Sequence, residues 1–387
     1  MLLLASCGAS SSVGGDGGAV ADGSASVDDM GALAEMGTSD LASASGDLAL
    51  TGTPYVYVSG YSTTIGRYLL DETTGALTAQ GTTTATGSPS FLAVDPARRH
   101  LYAVDETNSK VEAFAIDGAT GSLTHVGTDA ASGGSGPAHL TVDATGKWVL
   151  VANYGSGDVG ILPIAADGSV AAGTSLHAGT NAHEVVIDAG LGAAWVPCLG
   201  SQYVAQYSWD AATGKLTALA GGAATVMTPA GAGPRHLARH PTLQVAYLIE
   251  ETDSMIAAYG VGANGALTLL QRMTSRASGA TGPNTGAEVA VHPSGKWVYA
   301  SNRGDDDVGV WSVGTDGKLT AVAHTKTGGT TPRMFSLDAT GKWLLVANQG
   351  SGDVRVFAVD PTAGTLTAVG TPVAATMPSW VGVVRVP

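Results

Sequence analysis

The chain has 387 residues, a formal net charge of −14 at pH 7, 55 glycines and only 13% charged residues. The sequence has no basic stripe that could neutralise phosphates, which argues against a nucleic-acid partner. Its small residues and few aromatics are typical of short strands joined by tight turns. The two cysteines, Cys7 and Cys198, stand in unrelated surroundings and form neither a disulfide framework nor a metal motif.

The N-terminus combines a possible anchor signal with a low-complexity segment. Residues 1–7 read MLLLASC, and the run that ends at Cys7 resembles the lipobox of bacterial lipoproteins, in which the cysteine carries the lipid. The run has no basic residue and is short, so we interpret residues 1–7 as a truncated lipoprotein signal. Residues 8–50 are rich in Gly, Ser, Ala and Asp and contain no aromatic residue, which predicts a disordered linker.

This N-terminus determines the expected location. With a lipid on Cys7, the protein would lie in the cell envelope, on the periplasmic side or the outer surface. Without it, we expect a cytoplasmic protein. No other segment reaches the length of about 18 apolar residues that a membrane span needs, so Cys7 is the one membrane attachment that we predict.

From residue 51 onward, the sequence repeats one unit of alternating apolar and polar residues. Two copies are closest to each other: GPAHLTVDATGKWVLVANYGSGDV from Gly136 and TPRMFSLDATGKWLLVANQGSGDV from Thr331. The units open every 45 to 53 residues, at Pro89, Pro137, Ala182, Pro234, Ala287 and Pro332. That spacing is close to the length of a four-stranded propeller blade.

Six complete units and one split unit predict an all-β fold, a seven-bladed β-propeller of four-stranded blades over residues 51–387. The split unit would join the strands after Pro54 to the last strand, at residues 377–386. One blade would then be closed by N- and C-terminal strands, which hides the open sheet edges. A two-sheet sandwich is the alternative, and the regular spacing disfavours it.

Polar residues recur where the first strand of each unit begins and the second ends. Antiparallel pairing brings these two points to one face of the ring. The face gathers Arg235, Arg303, Arg333, Glu106, Glu251, Glu288, Gln349, His139, His183 and His236. Arginine suits a carboxylate or phosphate, and Glu or His can take a proton from water. The pattern predicts a site for a small anionic molecule.

Structural interpretations remain open for several of these residues. Arg235 and Glu251 face each other across a predicted hairpin and could form a structural ion pair as well as a catalytic pair. His139 and His236 could be hydrogen-bonded wall residues.

Two other recurring sets have structural interpretations. The Asp residues that close the first strands are predicted turn caps, and Trp148, Trp297 and Trp343 are predicted packing residues. The acids at 305–307 lack the spacing of a calcium loop, so we expect no metal and no other cofactor.

Taken together, the units resemble the bacterial seven-bladed β-propeller lactonases, a family that includes a metal-independent 6-phosphogluconolactonase. The resemblance covers residues 54–387 and is strongest in SPSFLAVDPARRHLYAVDE, GPRHLARHP, GAEVAVHPSGKWVYASNRG and the two units quoted above. It implies a lactone-opening site that contains Arg235, Glu251 and Arg303.

One unit departs from the family pattern. In the unit that opens at Ala182, the first of two expected histidines is Asn181, whereas His183 remains. The turn that follows carries Cys198 and Gln202 where the family has acids.

We therefore predict a metal-independent lactonase that opens a sugar-derived or carboxylated lactone, similar to 6-phosphogluconolactonase. Arg235 and either Glu251 or His183 as general base would be catalytic. The predicted substrate contacts are Arg303, Arg333, His139, Glu288, Gln349, Glu106 and His236. The alternative is a non-catalytic, surface-tethered propeller that binds an anionic ligand or a protein partner. We expect a monomer in either case.

Overall fold

The computed structural model describes residues 51–220 and 223–387, which form thirty strands in seven sheets with no helix in these two ranges. A membrane-spanning helix is accordingly not found in this part of the chain. The predicted lipidation site, Cys7, and the predicted linker over residues 8–50 lie outside the described residues. The strands begin within three residues of the predicted boundary at residue 51.

The seven sheets are the blades of the predicted propeller. Blade 1 contains β1 (Thr53–Gly60), β2 (Thr64–Leu70), β3 (Leu77–Thr84) and β30 (Pro378–Val386). Blade 2 contains β4 (Leu92–Val94), β5 (His100–Asp105), β6 (Lys110–Ile116), β7 (Leu123–His125) and β8 (Ala130–Ala131). Blade 3 contains β9 (Pro137–Val142), β10 (Trp148–Asn153), β11 (Asp158–Pro163) and β12 (Thr174–His177).

Blades 4 to 7 follow the same order. Blade 4 contains β13 (Val186–Asp188), β14 (Ala193–Cys198), β15 (Tyr203–Asp210), β16 (Lys215–Ala218) and β17 (Thr225–Met227). Blade 5 contains β18 (Pro234–Arg239), β19 (Val245–Glu250), β20 (Met255–Val261) and β21 (Leu267–Thr274). Blade 6 contains β22 (Gly286–Val291), β23 (Trp297–Asn302), β24 (Asp307–Val313) and β25 (Leu319–Lys326). Blade 7 contains β26 (Pro332–Leu337), β27 (Trp343–Asn348), β28 (Asp353–Val359) and β29 (Leu366–Ala374).

Blade 1 confirms the predicted closure by N- and C-terminal strands. Its strand order is β3-β2-β1-β30, so the last strand is the innermost one and β1 lies between β2 and β30. The pairing of β1 with β30 runs antiparallel from Thr53 opposite Val386 to Ser59 opposite Trp380. The fold is a propeller, and the sandwich alternative is wrong.

The core lies in the inner strands and between neighbouring blades. All six residues of β22 and of β23 are buried, whereas the outermost strand β25 is mostly exposed. Adjacent blades are joined by the tyrosines that donate to a turn carbonyl of the next blade, as from Tyr247 to Gly317 at 3.0 Å and from Tyr299 to Gly364 at 2.8 Å. Blades 5 and 6 are therefore each held by the next blade as well as by their own ladder.

The predicted packing role of the three tryptophans is confirmed. A Cβ on Gly364, whose φ is +71°, would lie 2.5 Å from the Trp297 ring. Gly214 stands in the same relation to Trp148, and Gly75 to Trp343. Only glycine combines this backbone conformation with so close an approach of the indole.

The predicted turn caps are also confirmed. Asp143 accepts hydrogen bonds from the backbone N–H groups of Lys147 at 2.9 Å and Trp148 at 2.8 Å. In β18 and β22 a histidine replaces the aspartate, and the His240 Nδ1 accepts the backbone N–H of Leu243 at 2.8 Å. These side chains satisfy the backbone of the turn that leaves each inner strand.

Candidate active site

A pocket opens at the centre of the ring, on the face where the inner strands begin. Six of the seven blades contribute to its lining, which consists of Tyr61, Ser90, Phe91, Ala138, His183, Arg235, His236, Arg333, Met334 and Ser379. The predicted convergence of strand starts on one face is therefore observed.

The chain brings its polar side chains to this pocket by a repeated irregularity. In blade 5, Pro234 pairs with Glu250 and His236 pairs with Ile249, which leaves Arg235 as an extra, bulged residue. Arg333 occupies the same bulge in blade 7, between Pro332 and Met334. A bulge changes the direction in which a side chain points. Consecutive residues such as Arg235 and His236 can then both line the pocket.

Glu251 joins two of the arginines. Its Oε2 lies 3.0 Å from the Arg235 Nε, and its Oε1 lies 2.9 Å from an Nη of Arg303. Burial raises the pKa of Glu251, but the two guanidinium groups outweigh burial and hold the pKa below its usual value. The ion pair that the sequence suggested therefore forms, with Arg303 as a third member.

Arg333 has a different environment. Its Nη2 donates to the Tyr61 hydroxyl at 3.0 Å, and its guanidinium lies 5.4 Å from the centre of that ring. Across the described ranges, no carboxylate forms a salt bridge with Arg333. Burial raises the pKa of Tyr61, and the neighbouring Glu106 also acts to raise it, while Arg333 opposes both. Arg333 thus forms no salt bridge in the described ranges, although it lies near enough to Glu251 to help lower the pKa of that carboxyl.

Three imidazoles meet beneath the arginines, and we call His139, His183 and His236 the histidine cluster. The His236 ring centre lies 5.0 Å from that of His183 and 5.8 Å from that of His139. Burial, and then nearby positive charge, lowers the pKa of all three well below 6.5, so the rings are neutral at pH 7.

Two nitrogens of the histidine cluster lack a hydrogen-bond partner in the described residues. The Nδ1 of His183 and the Nε2 of His236 are buried, and neither has a hydrogen-bond partner in the part of the chain that the structure describes. Both residues line the pocket. Buried polar groups are nearly always hydrogen-bonded, so these two atoms indicate where a ligand or a water molecule binds.

Two buried carboxyls lie behind the cluster. The Glu288 Oε2 lies 3.0 Å from the His236 Nδ1, and the Glu184 Oε1 lies 3.7 Å from the His139 Nε2. Burial raises the pKa of Glu288 to about 8, against the opposing effect of Arg235. Because Glu288 occupies the His236 Nδ1, it directs the other ring nitrogen into the pocket.

The structure sorts the ten predicted site residues into groups. Four of them line the pocket, which are His183, Arg235, His236 and Arg333. Glu251, Arg303 and Glu288 contact that group from behind. His139 does not line the pocket but lies against the pocket residue Phe91, with 4.2 Å between ring centres. A direct contact between His139 and substrate stays a prediction.

Glu106 and Gln349 belong to a ring of residues that follow the second strand of each blade. In all seven blades the backbone N–H at this position donates to a backbone carbonyl of the segment that leads into the inner strand. Glu106 interacts with Tyr61, whereas the Gln349 side chain makes no hydrogen bond within residues 51–220 and 223–387. Gln349 thus lies on the pocket face of the ring but forms no hydrogen bond with the charged side chains there.

Sequence reasoning missed Tyr61 and the pairing role of Glu184. Tyr61 follows β1, which is the second strand of blade 1, so it occupies the same ring position as Glu106 and Glu251. Counting the split blade in register with the others would have found it.

The altered residues of blade 4 have structural roles. Asn181 has a φ of +56°, close to the +58° of Gly136 and the +66° of Gly233 at the same blade position, and asparagine tolerates this conformation. The Gln202 Oε1 accepts the backbone N–H of Gly233 at 3.0 Å, which ties blade 4 to blade 5. Cys198 is fully buried, and burial raises the pKa of its thiol to about 12.

The acids at 305–307 are held by protein groups. Asp305 pairs with Arg276 at 2.7 Å, and the Asp306 Oδ1 accepts the backbone N–H of Thr331 at 2.7 Å. Among the described residues, only Glu112, His125 and Asp129 bring three potential ligand atoms within 4.8 Å of one another. That group lies in blade 2, and none of its members lines the pocket.

Comparison with known proteins assigns this chain to a family. Residues 55–383 match the family described as Lactonase, 7-bladed beta-propeller. The chain is 32% identical over 253 residues to a 6-phosphogluconolactonase of Pectobacterium carotovorum, covering 65% of this chain and 74% of that protein. It is 31% identical over 258 residues to a 6-phosphogluconolactonase of Yersinia pestis, with the same coverage.

The solved structures agree. The periplasmic gluconolactonase of Pseudomonas aeruginosa superposes with a TM-score of 0.80 at 27% identity, covering 87% of this chain and all of that one. The family match extends over six whole blades and most of the closing one. The chain therefore belongs to the seven-bladed β-propeller lactonase family and is a lactonase-like hydrolase.

Proposed function

We propose that the pocket hydrolyses a sugar-derived lactone that carries an anionic group. One observation supports this proposal above the others: an unpartnered imidazole nitrogen, the His183 Nδ1, shares one pocket with the guanidinium of Arg235 and with Arg333, which forms no salt bridge in the described ranges. A base for water, a donor for an oxyanion and a binding group for an anion are the components that such a reaction needs.

His183 is the general base in this proposal. Of the two candidates, Glu251 is held between Arg235 and Arg303, and both of its carboxylate oxygens are engaged in these ion pairs. His183 is neutral at pH 7, and its Nδ1 has no competing hydrogen bond. Glu251 is then a positioning residue, which fixes the orientation of both guanidinium groups.

The reaction would proceed in two steps. A water molecule gives a proton to the His183 Nδ1, and its oxygen adds to the lactone carbonyl carbon. The carbonyl oxygen becomes an oxyanion, which Arg235 stabilises. The tetrahedral intermediate then collapses, the bond to the ring oxygen breaks, and the proton on His183 passes to that oxygen. The products are a carboxylic acid and a free hydroxyl group.

Arg333 would hold the anionic group of the substrate. Its planar guanidinium suits a phosphate or a carboxylate, and its bond to Tyr61 leaves other N–H groups for a ligand. The His236 Nε2, directed by Glu288, would contact a sugar hydroxyl. Arg303 supports Glu251, and Glu106 and Gln349 lie in the ring of residues that follow the second strands.

The cellular location bears on whether the natural substrate is phosphorylated. The similar protein of Pseudomonas aeruginosa is called a periplasmic gluconolactonase, whereas the Pectobacterium and Yersinia relatives are called 6-phosphogluconolactonases. We propose that Cys7 carries a lipid and that the protein is a monomer in the cell envelope. Mass spectrometry of the mature N-terminus tests this, and an unmodified Met1 in the soluble fraction would contradict it.

The experiment is a turnover assay of the full chain on gluconolactone and 6-phosphogluconolactone, with and without a chelator. We expect turnover that survives the chelator. His183→Ala should lower kcat by about 100-fold or more, the size typical of a lost general base. Glu251→Gln should have a smaller effect, since it removes a positioning group.

The outcomes separate the alternatives. If both variants keep the wild-type rate, the proposed roles are wrong. If the wild-type protein binds an aldonate tightly but turns over neither lactone, the pocket is a binding site, as in the non-catalytic alternative.

A further inference from the structure

A second group of chemically reactive side chains lies in blade 2, outside the pocket. Glu112 stands on β6 and is completely buried. Its Oε2 accepts the backbone N–H of Thr86 at 2.8 Å. Its Oε1 is buried too and has no hydrogen-bond partner in the described residues. An unpartnered buried carboxylate oxygen is costly and needs an explanation.

The neighbouring strand brings a second acid to the same place. β8 pairs with β6 through Ala130 opposite Val111, so Asp129, just before β8, lies beside Glu112. Like charges on adjacent strands destabilise a sheet. A bound cation would offset this repulsion.

His125 completes the group. It stands on β7, and its Nε2 lies 2.8 Å from the Asp129 Oδ1. The ring is fixed edge-on against Phe114, with 5.3 Å between ring centres. One nitrogen and two carboxylate oxygens, one from each of the three residues, all lie within 4.8 Å of one another.

We propose that Glu112, His125 and Asp129 bind a divalent first-row transition cation, such as Zn²⁺. One imidazole with two carboxylates is a donor set that such ions accept, with water in the remaining position. The exposed side of His125 leaves room for that water. The Glu112 Oε1 would gain its missing partner.

The ion would have a structural role. Its ligands come from β6, from β7 and from the turn before β8, so it would join the outer strands of blade 2. None of the three residues lines the pocket, and the inference does not rest on the proposed lactonase mechanism. Removing the ion should lower the melting temperature and leave lactone turnover unchanged at 25 °C.

The chain offers a matched control. His177 and Asp158 form a similar pair, with 3.1 Å between the ring Nδ1 and the carboxylate, but no third ligand from the described residues joins them. His177→Ala therefore removes an exposed histidine beside an aspartate without removing a three-ligand group.

The test uses untagged full-length protein and Zn²⁺ alone, with the bound zinc measured after dialysis and the melting temperature measured with zinc and with chelator. We expect one equivalent of zinc per chain. At about 100 times Kd, zinc should raise the melting temperature by about 4 °C. His125→Ala should abolish both effects, and His177→Ala should retain them.

Glu112→Gln gives an independent check on the direction in which the melting temperature changes. In chelator, this variant should melt above the wild type, because one of two adjacent negative charges is gone. In zinc, it should gain little, because a ligand is lost. Zinc binding that persists in both His125→Ala and Glu112→Gln would place the ion elsewhere, for example at the histidine cluster, and would overturn the proposal. Failure of the wild type to bind zinc would overturn it too.

Discussion

The two ends of the inner strands make opposite use of the sevenfold repeat. At the end where these strands finish, six blades carry an Asp or a His, and the role is the same throughout: the side chain satisfies the backbone of the next turn. At the other end, where the strands begin, the equivalent positions hold Ser379, Ser90, Ala138, His183, Arg235, Ala287 and Arg333. Residues repeat where every blade has the same backbone to satisfy, and they diverge where each blade meets a different part of a ligand.

Strand β18 has one arginine near its start, at the pocket, and one at its other end. Arg235→Ala, at the pocket end, should lower kcat/KM on every lactone by about 100- to 1,000-fold, because an oxyanion donor is lost. Arg239→Ala, at the other end, removes an ion pair with Asp188 at 2.9 Å and should leave turnover unchanged. Steady-state kinetics of both variants test this. Equal losses of activity would show that the two ends do not differ in role.

Within the pocket end, Arg333 allows anion binding to be distinguished from the reaction itself. Arg333→Ala should lower kcat/KM by about 10- to 100-fold on a phosphorylated or carboxylated lactone, the value of a charge-assisted contact. A neutral lactone should be affected much less. A kinetic comparison on 6-phosphogluconolactone and gluconolactone measures the difference. A uniform loss on both substrates would assign Arg333 to the reaction centre and not to the anion.

The cap end should affect stability alone. Asp143→Ala leaves the backbone N–H groups of Lys147 and Trp148 without their acceptor in a partly buried turn. We expect the free energy of unfolding to fall by about 1–2 kcal/mol, with kcat/KM unchanged. Thermal or urea unfolding measures the loss, and Asp338→Ala, in the same turn of blade 7, should behave alike. A large fall in kcat for a variant that remains fully folded would contradict the difference in role between the two ends.

The smallest expected effect concerns pH. The reaction needs neutral His183, whose pKa burial lowers well below 6.5 with help from Arg235, His236 and Arg333. Activity should therefore persist as the pH falls through 6.5 and decline only well below it. Arg333→Ala removes one lowering charge, so the acid limb of kcat/KM on gluconolactone should move to higher pH. An acid limb at or above 6.5 in the wild type would mean that another group is the base.

The same comparison explains how much the sequence could predict. Blade number, blade closure, caps and tryptophan packing all depend on residues that recur, such as Asp143 and Trp148, so a repeat in the sequence was enough. The pocket face was predicted for the same reason. The charged residues Arg235, Arg333 and Glu251 could also be assigned to this face from the sequence.

The arrangement inside the pocket was not predictable in the same way. A regular strand would direct Arg235 and His236 to opposite faces, and only the bulge lets both line the pocket. His139 looks equivalent to His236, yet it lies against the pocket residue Phe91 and does not line the pocket. Tyr61 was hidden because the first strand of its blade, β30, lies more than 300 residues away in the sequence.

The position of β30 in blade 1 has a consequence for synthesis. Blades 2 to 7 are each one continuous segment, so each can pair its strands as soon as it leaves the ribosome. Blade 1 cannot, because β30, which pairs with β1, is translated after all the other described strands. Until then β1 presents an open edge, the kind of surface on which incomplete chains associate with one another. The ring is thus completed only once β30 has emerged, and the time before that is when this protein most needs protection from its own copies.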